Sequence, residues 1–282
     1  MKMIRTPISQ KQKLFISVLS VLLIVAAYMV MAHVQYSKNP DNTTMPTLKL
    51  FKEGFVSIFS PRIERTFTPE GTVETKTLMK SWFVADSLIT GWRFSLSMLL
   101  SVVIGVSVGL LMGCFARVEA FFNWPITFFS KVTPTGALVV FFVLFGTDLK
   151  MFVAMIVFGV TPAIAISTML AVKQMPEQLI HKGYTIGAST WESVLSNVFK
   201  YILPNIIDAV RLAVGPAIIF LIAAESLCAD SGFGYRIRMQ GKLSNMNVVY
   251  TYLAMLAMFG FFADWGLKVV QRKACQWYRG NS

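Results

Sequence analysis

Long apolar runs separated by short polar ones set the pattern of this chain, and the run lengths predict its elements. Leu14 to Val34 carries no charge over 21 residues, enough for a helix to cross a hydrocarbon core. The preceding segment, residues 1–13, is basic, with Lys2, Arg5, Lys11 and Lys13. The run exceeds the apolar part of a usual signal peptide, and Met-Ala-His-Val-Gln is a poor cleavage site, so 14–34 is read as a retained first span with a cytoplasmic N-terminus. Five further runs follow at Phe94–Ala116, Phe121–Phe145, Met151–Val172, Asn205–Cys228 and Val248–Leu267. Six spans bring both termini to one side, with residues 87–272 as a five-helix core and 273–282 as a cytoplasmic tail. Residues 35–86 form an extracytoplasmic segment. Within it, Leu48, Phe51, Phe55 and Phe59 have the spacing of an amphipathic helix, and 61–80 is a charged, turn-rich excursion.

Small and polar residues interrupt the spans at defined places. Ser97, Ser101, Gly105, Gly109 and Gly113 recur every four residues, a stripe along which another helix can approach closely. The third run holds Pro125, Lys131, Pro134, Thr135 and Gly136, and Pro162 kinks the fourth. Prolines at membrane depth belong where a water-lined cavity or a neighbouring helix takes the freed carbonyls. The third run therefore reads either as pathway lining, which the polarity of Lys131 and Thr135 favours, or as a kinked packing helix. Asp208 and Arg211, three apart, predict a structural pair near the cytoplasmic end. Glu225 has no partner nearby in sequence, which makes it a pathway candidate.

The longest polar stretch of the second half is 176–204, PEQLIHKGYTIGASTWESVLSNVFKYILP. Pro176 suits the first turn of a helix, Gly187 suits its end, and Ser189 with Glu192 has capping-box spacing for a second helix. Helix, glycine corner and helix make a lever at the membrane surface. The plainer alternative is a linker with ordinary caps.

Composition agrees with the pattern. Hydrophobic residues make up 55% and charged residues 14%, against about 25% charged in soluble domains. The net charge of +12 is explained by basic residues beside spans, so nucleic acid is not expected and lipid is. Arg236, Arg238 and Lys242 fall on the external side against that bias, where they would favour anions or contact a partner or lipid. Cys114, Cys228 and Cys275 are too far apart for a disulfide framework or metal spacing. His33 and His181 are the sole histidines, no zinc-helix motif exists, and no phosphate-binding G-x-x-x-x-G-K-[ST] loop is present. Uphill transport would then draw its energy from another subunit. The other classes open to such a chain are an ATP-independent secondary transporter or channel and a membrane scaffold.

The polar stretch resembles a known element. Gly187-Ala188-Ser189, Trp191 and Leu203-Pro204 are similar to the cytoplasmic EAA loop of ABC importer permeases, especially those importing nitrate, sulfonates and taurine. From about Met45 onward other pieces match in order: Met45-Pro46-Thr47; Asp86-Ser87-Leu88 with Arg93; Phe145-Gly146 with Lys150; and Ala224-Glu225-Ser226 with Ser231-Gly232-Phe233-Gly234-Tyr235. The resemblance implies an all-α membrane protein of six transmembrane helices with a cytoplasmic coupling helix, the type I ABC importer architecture, in a bacterial inner membrane. It implies a homodimer, a pair of ATP-binding subunits that hold ATP and magnesium, and an extracytoplasmic solute-binding protein, with no cofactor and no catalytic site in this chain. His181, Lys182, Gly183, Gly187, Ala188, Ser189 and Trp191 would contact the ATPase. The chain departs from the family where it has His181-Lys182-Gly183 in place of Glu-Ala-Ala, and Lys200 in place of the first of two prolines.

Overall fold

The computed structural model describes residues 9–38, 47–67, 73–185, 187 and 189–277. The helices are α1 (Gln10–Lys38), α2 (Leu48–Phe59), α3 (Trp82–Cys114), α4 (Ala116–Phe129), α5 (Leu138–Phe145), α6 (Leu149–Lys173) and α7 (Glu177–Thr185), then α8 (Thr190–Glu192), α9 (Phe199–Cys228), α10 (Phe233–Lys242) and α11 (Met246–Ala274). A π-helical turn, Ser193–Val198, joins α8 to α9, so Thr190–Cys228 runs as one 39-residue helix. Strands β1 (Pro61–Phe67) and β2 (Val73–Ser81) pair antiparallel between α2 and α3. The excursion expected at 61–80 is thus an ordered hairpin in its described parts. Of Met45-Pro46-Thr47, only Thr47 lies within the described residues.

The core forms where α3, α6 and α9 meet. Met151, Phe152, Met155 and Ile156 of α6 are fully buried. On α3, Gly105, Gly109 and Gly113 face α6 with no room for a side chain. A Cβ at Gly109 would sit 2.4 Å from the Ala165 carbonyl oxygen, and one at Gly113 would sit 2.5 Å from Val172 Cβ. Ser97 and Ser101, both fully buried on the same stripe, return their hydroxyls to the carbonyls of Arg93 and Ser97 at 2.6 and 2.8 Å. Their polarity is satisfied within the helix, and the stripe stays narrow enough for close helix approach. By contrast α1 exposes Leu22 and Ile24, as a helix bathed in lipid does. It leans on the rest through Tyr28, whose ring centre lies 6.3 Å from that of Tyr250.

Five helices are long and apolar enough to span a bilayer among the described residues, beginning at Phe15, Trp82, Leu149, Thr190 and Met246. The expected third span, 121–145, is instead two pieces, α4 of 14 residues and α5 of 8, neither reaching the ~20 residues a helical span needs. The break lies at Ser130–Ala137. Pro134 contributes no N–H there, and the amides of Gly136 and Ala137 fold back onto the Thr133 carbonyl at 3.0 and 3.3 Å. Pro134 is buried against Gly159 of α6, where a Cβ would lie 2.6 Å from the proline ring. An ion pair between Glu119 and Lys173 ties α4 to α6.

Two boundaries also differ. The second span starts at Trp82, twelve residues before Phe94 and inside the segment expected to be external, where Ser81 caps it by accepting the Val84 N–H. The fifth starts well before Asn205, since Pro204 is accommodated inside the helix. A polar face turned inward reads as a loop in a hydropathy pattern, although tertiary partners hold it helical.

Gly109→Val should force α3 off α6 and lower stability by about 1–3 kcal/mol, the usual range for overpacking. Gly266→Ala, where a Cβ meets nothing within 4 Å, should leave stability unchanged or slightly raised. Thermal unfolding of the detergent-solubilised chain, followed by circular dichroism, distinguishes the two.

Candidate functional site

Two polar regions stand at opposite ends of the helix Thr190–Cys228. The first gathers around its C-terminal end. Asp86, Thr90 and Arg93 of α3 share one face through the spacing i, i+4, i+7. Glu225 meets them from the last turn of α9, and Tyr252 from α11. The loop after α9 turns at Gly232, whose φ is +112°, and opens α10. The first amides of a helix have no partner inside it, and here side chains take three in succession. Gly232 N–H donates to Asp86 at 3.2 Å, Phe233 N–H to the Thr90 hydroxyl at 3.0 Å, and Gly234 N–H to Glu225 at 3.0 Å. The partial positive charge of a helix N-terminus favours carboxylates there.

Each carboxylate also holds an arginine. Arg93 Nη1 lies 3.0 Å from Glu225 and 3.0 Å from the Ser231 carbonyl, with its guanidinium 4.1 Å over the Phe152 ring. Arg236 Nε lies 2.9 Å from Asp86, with its guanidinium 3.9 Å over Trp82. Thr90 donates to Glu225 at 3.0 Å, and the Tyr252 hydroxyl donates to Asp86 at 3.0 Å. Asp86 and Glu225 are 2% and 0% exposed. Such depth is tolerable for a carboxylate only with this many donors and a matched countercharge. A Cβ at Gly232 would fall 2.6 Å from Glu225 Oε1, and one at Gly234 would fall 2.5 Å from the Ile222 carbonyl. Both glycines are therefore required by close approach, and Gly232 also by its backbone angle.

This cluster revises the reading of Glu225 and Arg236. Glu225 has partners, but Thr90 and Arg93 come from 135 and 132 residues earlier in the chain. Arg236 is committed to Asp86, and Arg238 donates to the Leu227 carbonyl at 3.1 Å. Of Arg236, Arg238 and Lys242, Arg236 is the one paired with an acid among the described residues, and Lys242 is the most open to solvent. The clue available earlier was charge balance: two acids and two arginines lie in or beside apolar runs.

The second region is the polar stretch before α9. Gly187 has φ +88°, the left-handed conformation that ends a helix run at little cost for glycine. Ser189 and Glu192 form the reciprocal capping box, with the Ser189 amide 2.8 Å from the Glu192 carboxylate and the Glu192 amide 3.4 Å from the Ser189 hydroxyl. His181, Tyr184 and Trp191 are exposed, and Trp191 leans its ring 5.7 Å from Phe115. Gly183 is buried instead, and a Cβ there would lie 2.7 Å from Asn197 Nδ2 and 2.8 Å from Ser193 Oγ. It seats α7 against the π turn and presents no surface. Ala188 and the side chain of Lys182 lie outside the described residues. Beyond the π turn, Arg211 links Asp208 of α9 at 2.8 Å with Asp264 of α11 at 2.9 Å, and Gln271 Nε2 donates to the Pro204 carbonyl at 3.0 Å.

Lys131 and Thr135 are exposed at the turn between α4 and α5, and Pro134 is buried beside them. Neither polar group joins the contacts of Glu225.

A family model described as "Binding-protein-dependent transport system inner membrane component" matches residues 97–274. The chain is 26% identical over 238 residues to the taurine transport system permease protein TauC of Escherichia coli (strain K12), covering 83% of this chain and 84% of that one. It is 27% identical over 206 residues to the formylaminopyrimidine transport permease protein ThiX of Halalkalibacterium halodurans, covering 73% and 82%. Among solved structures, an inward-facing conformation of the MetNI methionine ABC transporter superposes with a TM-score of 0.62 at 18% identity, covering 68% of this chain and 96% of that chain.

Gly232→Ala meets both backbone strain and the Glu225 carboxylate, and should lower stability by about 1–3 kcal/mol or more. Gly241→Ala, on the same helix with open space around it, should be neutral or mildly stabilising. Yield of monodisperse protein and its melting temperature give the comparison.

Proposed function

The chain belongs to the binding-protein-dependent transport system inner membrane components, and from that premise we propose how this permease subunit of an ATP-driven importer is coupled and what it carries. α7 and the Gly187 corner form the cytoplasmic coupling element; α4 and α5 together make one further crossing as a broken helix packed against α6, which brings both chain termini to the same side. The observation that carries this reading is the unbroken helix from Thr190 to Cys228. At 1.5 Å per residue it is about 58 Å long, nearly twice a hydrocarbon core of ~30 Å. Its N-terminal part therefore stands clear of the bilayer as a lever. A push at the Ser189 corner is carried along that helix, and the Arg211–Asp264 pair and Gln271 hand part of it to α11.

His181, Tyr184 and Trp191 provide the exposed contacts for a separate ATP-binding subunit, which holds the ATP and magnesium. Gly183 acts indirectly by seating α7 on the π turn. In this reading His181 and Lys182 replace an acidic contact with basic ones, so the ATPase groove meets them with acidic or carbonyl groups. A second copy of the chain completes the pathway, and an extracytoplasmic binding protein delivers the solute in a bacterial inner membrane. The solute is a small anionic or organic molecule of the nitrate, sulfonate or taurine kind. Because Arg236 is held by Asp86, its charge is not what selects that solute.

Reconstitution with its ATP-binding subunit and binding protein should give ATP-dependent uptake into vesicles. Uptake by the chain alone under an ion gradient would overturn the reading. Gly187→Val, forced into a left-handed backbone that β-branched residues strongly disfavour, should reduce uptake roughly tenfold while ATP hydrolysis persists. Undiminished uptake in that variant would remove Gly187 from the coupling path.

A further inference from the structure

At the end of the bundle far from α7, the ten-residue helix α10 lies against α3, α9 and α11. A helix so placed at the mouth of a transport path is either a flap that lifts or part of the frame. The contacts separate these possibilities. The amides of the cap residue Gly232 and of the first two residues of α10, Phe233 and Gly234, all end on side chains of other elements, Asp86 and Thr90 of α3 and Glu225 of α9. Arg236 on its second turn returns to Asp86, and Arg238 reaches the Leu227 carbonyl. Phe233, 4% exposed, stacks on Phe83 at 5.8 Å and meets Tyr252 edge-on at 5.4 Å.

Lifting α10 would remove the Gly232 amide and Arg236 from Asp86, and the Gly234 amide from Glu225. Arg93 would lose its second acceptor, the Ser231 carbonyl. Both carboxylates sit too deep for water to replace those donors unless the spans themselves part. Gly232 and Gly234 let the α10 backbone reach the Glu225 side chain and the Ile222 carbonyl directly, so the parts interlock.

We propose that α10 is a rigid part of the frame that travels with α3, α9 and α11 as one body, and that Asp86, Thr90 and Glu225 are its positioning residues. Opening at this end is then a movement of that whole unit against its surroundings. The proposal rests on the importer reading, so the unmodified complex is first required to trap MgADP-vanadate on its ATP-binding subunit. Failure of that step counts against the importer reading and not against the seat of α10.

The probe is a membrane-impermeant maleimide, and the reporter is Ala229→Cys in a Cys114→Ser, Cys228→Ser, Cys275→Ser background. Ala229 joins α9 to α10 and is 3% exposed, and exposed Lys242→Cys serves as the reference. Ala229→Cys should label below about one-tenth of the reference in both the nucleotide-free and the vanadate-trapped states, as expected for a site protected from local opening. Labelling that rises to the reference level in the trapped state overturns the proposal. Adding Glu225→Gln, or Thr90→Val should Glu225→Gln not yield folded protein, should raise Ala229→Cys labelling about tenfold by loosening a buried charged contact. Unchanged labelling in that folded variant also overturns it, because a group acting only on solute would not alter the seat of α10.

Discussion

Two carboxylates buried in an apolar bundle constrain everything around them. Asp86 and Glu225 are ionisable groups with almost no contact with water, and each is tolerable only while its donors stay in place. The donors are an arginine apiece, a hydroxyl apiece and one backbone amide apiece, Gly232 for Asp86 and Gly234 for Glu225. The order in which they occur along the chain fixes α3, α9, α10 and α11 relative to one another. Hydrophobic burial alone would leave that arrangement free to slide, since lipid tails and leucine side chains are equivalent surroundings for an apolar face.

The rest of the bundle is fastened by shape. Gly105, Gly109 and Gly113 remove side chains where α3 meets α6, and dispersion between closely approached backbones replaces the missing hydrophobic drive. Charge reappears at the other end, where Asp208, Arg211, Asp264 and Lys268 link α9 to α11 in a shallower, more exposed cluster. Exposed ion pairs contribute little individually, so this end is held more weakly than the Asp86–Glu225 end. The asymmetry matches a helix driven at one end and held at the other.

That asymmetry gives the family's transport function a physical form in this chain. The glycine corner at Gly187 and the capping box at Ser189 make a short, stiff polar element. The π turn at Ser193–Val198 joins it to a helix long enough to emerge from the bilayer. π turns are frequent at functional sites because they offset one part of a helix from the next. Here the offset creates the notch filled by Gly183.

Much of this was legible in the residues taken alone. Apolar run lengths marked the first, fourth and sixth spans, and capping grammar marked the Gly187 corner and the Ser189–Glu192 box. These signals are local: each depends on neighbours within one or two helical turns. The register of small residues on α3 was legible too, but which helix would fill it was not. The tertiary structure alone decided the broken helix at Ser130–Ala137, the start of α3 at Trp82 and the partners of Glu225. Hydropathy counts an inward polar face as loop, and it counts a proline-broken apolar run as a span. Glu225 looked unpartnered because its countercharge lies 132 residues away, a distance that only folding closes. The sequence determined which groups needed partners, since burying a charge among apolar runs demands them. Only the packed chain determined which partners they received.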